Sequence, residues 1–191
     1  TIVHAEFDVD GSTLNDHELR SFFALLFPAG AETTTRSISG GMQAFLEHPD
    51  EWKRLRANPR LIKTAVEEII RWTTPSVYKR RTATREVQIR DKTIHRGDKV
   101  TFWEMSANRD ERVFERPFEF DIARSPNKHV GFGAGVHFCL GAALARLELT
   151  VVFEELVRGG LNFEPAGKIE LIPNNRLVGL KSLPVKVVSM A

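Results

Sequence analysis

The segment Gly131-Phe132-Gly133-Ala134-Gly135-Val136-His137-Phe138-Cys139-Leu140-Gly141 holds the only cysteine of the chain. Its three alternating glycines make a loop that can take unusual dihedrals and let a flat ligand come close. An amphipathic run follows directly, so Cys139 is expected at the start of a helix. Unpaired N–H groups and the positive end of the helix dipole favour a thiolate there. Three chemistries compete for it. A cysteine nucleophile needs a histidine base, and His137 lies two residues away. Zinc needs about three or four ligands, and only one cysteine exists. Heme iron needs one axial thiolate in apolar surroundings, which Phe132 and Phe138 supply. On chemistry alone the heme-thiolate reading stands slightly ahead. A second pair, Glu68 and Arg71, places an acid and a base three apart on one helix face. Spacing alone makes it a surface ion pair.

These groups need elements to position them. Asn15 or Asp16 can cap a helix that has Glu18 in its first turn and runs to about Gln43 or Leu46. Pro28 removes one helical N–H and clashes with the Ala24 carbonyl, and Gly30 loosens the backbone further, so an interrupted helix is expected. A turn is expected from Phe7 to Leu14, centred on Asp10-Gly11. Pro49 opens a short helix to about Ala57. Asn58-Pro59 starts another, with Leu61, Ile62, Ala65, Val66, Ile69 and Ile70 at helical spacing, and Pro75 ends it. Glu86 to Ile89, an Arg90-Asp91 turn and Thr93-Ile94 suggest a hairpin. Lys99 to Trp103 is a strand or the start of a helix. Ser106 to Phe138 has little periodicity, and long irregular segments in compact domains are usually functional. Leu140 to about Arg158 is a helix with Leu140, Leu144, Leu147, Val151 and Leu156 near one stripe, and short strands fill the tail.

The 191 residues suffice for one domain with a core. A net charge of +2 gives no reason to expect nucleic acid as a partner. No run approaches the roughly 20 apolar residues of a membrane span. A basic-then-apolar secretory start is also lacking, which points to the cytoplasm. One cysteine excludes an intrachain disulfide.

The segment Phe132 to Gly141 resembles the heme-binding signature of the cytochrome P450 superfamily, F-G-x-G-x-H-x-C-x-G, at every fixed position. The resemblance makes Cys139 the proximal ligand of the iron, with Phe132, Gly133 and Gly141 shaping its loop and His137 placed to contact a heme propionate. Glu68-Ile69-Ile70-Arg71 then resembles the family's E-x-x-R motif, a buried pair that braces the irregular segment. Phe120-Asp121-Ile122-Ala123-Arg124 resembles the bacterial F-D-x-x-R form, which makes Arg124 the third partner. Ala29-Gly30-Ala31-Glu32-Thr33-Thr34 resembles the oxygen-binding signature A-G-x-(D/E)-T-T, where Glu32 relays protons and the Thr33 hydroxyl serves the bound oxygen. Arg81 aligns with an arginine that pairs with a propionate, with Arg80 beside it as the other choice.

By this resemblance the fold is mainly α with small β-sheets. Residues 1–191 are expected to be the heme-binding C-terminal part of one larger monooxygenase domain. The implied cofactor is heme b, iron-protoporphyrin IX. The implied reaction is hydroxylation of an apolar small-molecule substrate with dioxygen. No flavin or nicotinamide motif is present, so electrons would come from a ferredoxin-type donor. Arg146 and Arg158 near the proximal helix are candidates for its docking face. Val77-Tyr78-Lys79-Arg80-Arg81-Thr82 resembles bacterial members acting on steroids, terpenes or branched lipids. The alternative is a heme-binding fragment or sensor without catalysis of its own.

Overall fold

A computed structural model describes residues 12–188. The centre of the expected Asp10-Gly11 turn therefore lies outside the described residues. Helix α1 spans Asp16–Glu47. Its start is a capping box: the Asn15 side chain accepts from the His17 and Glu18 N–H groups at 3.0 Å, and the Asn15 N–H donates to Glu18 Oε2 at 2.9 Å. The expected interruption at Pro28 is corrected, because helical geometry runs through the proline. Proline forfeits a single N–H, and a helix of 32 residues has enough of the ladder on both sides to carry the gap. Helix α2 is Pro49–Ala57, and a single 3-10 turn over Pro59–Leu61 leads into α3, Ile62–Thr73. Thr74 ends α3 in the left-handed region, at φ 37°, and Pro75 follows.

The core lies where α1, α2, α3 and α5 (Ala142–Arg158) meet. Phe45 is its centre, with ring centroids 5.1 Å from Trp52, 5.4 Å from Phe120 and 5.6 Å from Phe153. From α3 the apolar stripe Ile62, Ala65, Val66, Ile69 and Ile70 is buried there. Gly41 permits the close approach of α1. A Cβ at that position would lie 2.9 Å from both Ile69 Cγ2 and Phe153 Cζ.

Helix α5 starts at Ala142, two residues later than the sequence suggested, with Gly141 as its N-cap. The apolar stripe of α5 is also not its buried face. Ala142, Leu149 and Phe153 are buried, whereas of the expected stripe Leu140, Leu144, Leu147 and Val151 are exposed and only Leu156 packs against the core. The helix is apolar on two sides, and α1 and α3 cover only one.

Among the described residues four small antiparallel sheets flank the helices. Strand β1 (Tyr78–Thr82) pairs with β4 (Lys99–Trp103), so that Arg81 stands opposite Val100. Strands β2 (Val87–Ile89) and β3 (Lys92–Ile94) form the hairpin, with Arg90 at φ 54° in its turn. A four-residue helix, α4 (Glu104–Ala107), continues from β4. Near the C-terminus β5 (Asn162–Pro165) pairs with β8 (Val185–Val188), and β6 (Glu170–Leu171) with β7 (Leu180–Ser182). Among the described residues no helix is long and apolar enough to cross a membrane.

Candidate functional site

The Cys139 loop is shaped by glycine conformations and short hydrogen bonds. Gly133 at φ 72° and Gly135 at φ 61° are in the left-handed region, which glycine enters without strain. A Cβ at Gly133 would also meet the His137 carbonyl oxygen at 3.2 Å. The Gly133 N–H donates to the Val130 oxygen at 2.8 Å, the Phe138 N–H to the Gly135 oxygen at 3.0 Å, and the Cys139 N–H to the Phe132 oxygen at 2.8 Å. These bonds fold the loop back and leave the Cys139 thiol exposed. Cys139 stands three residues ahead of the first helical residue rather than within the first turn. Its carbonyl accepts the Ala142 N–H at 3.2 Å. Gly141 lies beside the sulfur, where a Cβ would reach only ordinary contact with Sγ, at 4.0 Å. Val136, His137, Phe138 and Leu140 are exposed around the thiol, and Phe132 is half-buried against the core.

Beneath this loop sits a buried charge cluster. Glu68 and Arg71 have no solvent exposure, and Arg124 is 9% exposed. Arg71 donates from Nε and Nη2 to the two Glu68 carboxylate oxygens at 2.7 Å each. Its Nη1 donates to the Asn108 and Pro117 carbonyls at 2.8 Å, and Nη2 also reaches the Glu119 carbonyl at 3.1 Å. All five guanidinium N–H groups are thereby taken. Arg124 Nε donates to Glu68 Oε2 at 3.1 Å, while its Nη atoms take the carbonyls of Glu115, Arg116 and Glu119. The Asp121 N–H and Asn127 Nδ2 complete the shell of Glu68 at 3.0 and 3.1 Å. Irregular backbone over residues 108–127 is held in place by these ions because it has no ladder of its own. Buried Asn108 extends the brace upward: Nδ2 donates to Thr74 Oγ1 at 2.9 Å, and Oδ1 accepts the Val130 N–H at 2.8 Å, at the foot of the cysteine loop.

The remaining candidates lie apart from the loop. Ala29, Gly30 and Glu32 are exposed on α1, and a Cβ at Gly30 would meet nothing within 4 Å. Thr33 Oγ1 donates to the Ala29 carbonyl at 2.8 Å. Glu32 Oε2 is 3.4 Å from Arg36 Nη2, and Arg36 Nη1 donates to the Leu177 carbonyl at 2.8 Å. Glu32 and Thr33 thus take different partners. Arg81 is exposed on β1, donates to the Arg80 carbonyl at 3.0 Å and lies 5.8 Å from the Phe102 ring centroid. Arg158 is exposed and paired with Glu155. Arg146 is committed to Glu67, at 2.6 and 2.9 Å, and to the face of Phe132 at 4.5 Å. Sequence reading missed Glu67 and its second partner, His129 at 2.9 Å, because their separation of 62 residues leaves no local pattern.

The family model described as Cytochrome P450 matches residues 2–188. A cytochrome P450 of Mycobacterium tuberculosis, numbered 126, is 52% identical over 180 residues, covering 94% of this chain and 44% of that protein. A methyl-branched lipid omega-hydroxylase of the same organism is 45% identical over 182 residues, covering 94% of this chain and 42% of its own length. The solved cytochrome P450 PksS of the Bacillus subtilis 168 bacillaene polyketide synthase superposes with a TM-score of 0.91 at 42% identity, over 99% of this chain and 49% of that one. The chain thus spans about half the length, or somewhat less, of the proteins it matches.

Proposed function

This chain belongs to the cytochrome P450 family, and we propose that it is the heme-binding C-terminal part of a larger monooxygenase domain, with Cys139 as the thiolate that would hold the iron. The carrying observation is the exposed Cys139 thiol on a glycine-shaped loop whose apolar residues Val136, Phe138 and Leu140 are also exposed. The residues present fit a heme. Among the described residues no cluster of three His, Cys, Asp or Glu side chains could cage a metal ion. A lone thiolate would suit iron whose remaining ligands come from a macrocycle. The exposed apolar side chains suit the flat faces of that macrocycle, and heme b is the form proposed.

A thiolate-bound heme supplies the dioxygen activation that inserts one oxygen atom into a C–H bond and releases the other as water. The protein's share is positioning and proton handling. The loop bonds from Cys139 to Phe132 and from Gly133 to Val130 hold the exposed Sγ outward, and the exposed Phe138 and Leu140 on either side of Cys139 in sequence would pack on a bound heme. Arg81 and His137 would hold the propionates, for which a guanidinium fork is suited. Gly30 leaves open space beside α1, since a Cβ there would meet nothing within 4 Å, and Ala29 beside it is exposed. The Glu32 carboxylate, held by Arg36, would collect protons from solvent and pass them to Thr33 Oγ1, which already donates to the Ala29 carbonyl.

The proposed substrate is an apolar lipid, a methyl-branched chain first, on the strength of the omega-hydroxylase at 45% identity. Electrons would come from a separate ferredoxin-type donor. The test is turnover of the heme-loaded protein with a reducing donor, methyl-branched lipids and isotopically labelled dioxygen. A product carrying one labelled hydroxyl oxygen supports the reading. Oxygen derived from water, or no donor-dependent product across the lipids, overturns it.

A further inference from the structure

Glu67 stands one position before the buried Glu68, on the neighbouring side of α3, and takes no part in the charge cluster beneath the loop. It is instead the hub of a separate set of contacts. Arg146 Nε and Nη2 donate to its two carboxylate oxygens at 2.6 and 2.9 Å, a bidentate pairing. His129 reaches Glu67 Oε2 through Nε2 at 2.9 Å, and its side chain is only 3% exposed. His129 Nδ1 accepts the Gly131 N–H at 3.2 Å, which leaves Nε2 as the donor to Glu67. Both partners of Glu67 also touch Phe132. The Arg146 guanidinium lies 4.5 Å from the ring centroid, and the His129 ring lies 5.9 Å from it. The Phe132 carbonyl, in turn, accepts the Cys139 N–H at 2.8 Å. One carboxylate on α3 therefore orients an arginine from α5 and a histidine at the foot of the loop, and those two grip the residue to which Cys139 is bonded.

We propose that Glu67 is a positioning residue for Cys139, acting through Arg146 and His129 on Phe132 to fix the direction of Sγ. The role in catalysis rests on the heme-thiolate reading. The clamp on the thiol does not. Phe132 is thus more than an apolar neighbour of the sulfur: its ring faces a guanidinium that cannot turn away while Glu67 holds two of its three nitrogens. A lysine at 146 would keep the charge and lose both the fork and the flat face.

The test uses the chain's single cysteine. The alkylation rate of Cys139 by iodoacetamide is measured in the heme-free protein and in the urea-unfolded protein. The Soret band of the reduced carbon monoxide complex and heme retention are measured in the loaded protein. Glu67→Gln is expected to close most of the gap between the folded and unfolded alkylation rates and to weaken heme retention about tenfold, as loss of outer partners does at metal sites. Arg146→Lys is expected to act in the same direction, and Glu67→Asp, which keeps the carboxylate, to recover most of the wild-type behaviour. The proposal is overturned if Glu67→Gln lowers only the melting temperature while the alkylation rate of the folded protein and the Soret band stay put. It is equally overturned if Arg146→Lys matches wild type, since charge alone would then suffice. A wild-type protein that takes up no heme would sink the heme reading, while the alkylation rates would still decide the clamp.

Discussion

Glu68→Gln removes one negative charge from the middle of the buried cluster and changes almost nothing in shape. The carboxylate accepts from Arg71 Nε and Nη2, Arg124 Nε, the Asp121 N–H and Asn127 Nδ2. If the new amide nitrogen takes the place of Oε1, it faces Arg71 Nη2 and the Asp121 N–H. If it takes the place of Oε2, it faces Arg71 Nε and Asn127 Nδ2. Either rotamer sets donors against donors and strands at least two of them, each at about 1–3 kcal/mol. Two buried guanidinium groups also lose their counter-ion, and breaking a buried pair in this way costs roughly 3–5 kcal/mol. The terms overlap, so a loss of about 4 kcal/mol is expected, against a total stability of about 5–15 kcal/mol for a folded domain. With an m-value of about 2 kcal/mol/M, the urea midpoint should fall by about 2 M. Circular dichroism in the far and near ultraviolet reads this directly. A variant whose midpoint moves by less than about 0.5 M would show that the carboxylate is not what holds the two arginines, and the brace would have to be credited to the carbonyl bonds instead.

Three further expectations follow from other parts of the molecule. Burial pushes the Glu67 carboxyl up, but hydrogen bonds from His129 and Arg146 outweigh it and hold the group at about 2, below the ordinary 4.5. A depressed folded value means its stabilisation is full above the ordinary value and fades as pH falls toward 2; the difference in melting temperature between wild type and Glu67→Gln should therefore shrink across that window, and a constant difference would count against the pairing. Gly41→Ala would bring a methyl to 2.9 Å from Ile69 and Phe153, so it should cost about 1–3 kcal/mol in denaturation, whereas a neutral result would mean α1 can shift off α3 and α5 freely. Thr33→Ala removes the proposed proton-handling hydroxyl and should lower product formed per dioxygen consumed about tenfold or more, with Thr33→Ser retaining most of it; unchanged coupling would take the role from Thr33.

Local features of the chain were legible where a few adjacent residues decide the outcome. Asn15 and Glu18 form a cap box by their spacing alone, and the stripe from Ile62 to Ile70 needs only helical periodicity to be read as a buried face. Arg90-Asp91 marks its hairpin because a turn is a local event. Strand β1 was not legible: Tyr78-Lys79-Arg80-Arg81-Thr82 has no alternation, and its ladder comes from β4, which begins 17 residues after it ends. The face of α5 was misleading for a related reason. Leucines line one side and Leu149 and Phe153 the other, and only the positions of α1 and α3 decide which side is covered. At Pro28 a rule about one peptide group was extended to a whole helix, and the rest of the ladder prevailed. In the site, the glycines of the cysteine loop mark themselves, and Glu68 and Arg71 meet by spacing. Arg124 reaches Glu68 across 56 residues, and Arg146 reaches Glu67 across 79. The first of these long contacts came from the resemblance, and nothing in the chain announces the second.

The central proposal is that the Cys139 sulfur would hold the iron of a heme. The most direct measurement is the reduced carbon monoxide difference spectrum of the heme-loaded protein beside that of Cys139→Ser. The wild type should show the red-shifted Soret band of a thiolate-bound heme, and Cys139→Ser should lose that band even where it still binds heme. A wild-type band at the position of a nitrogen- or thiol-ligated heme, or a thiolate band that survives in Cys139→Ser, would contradict it.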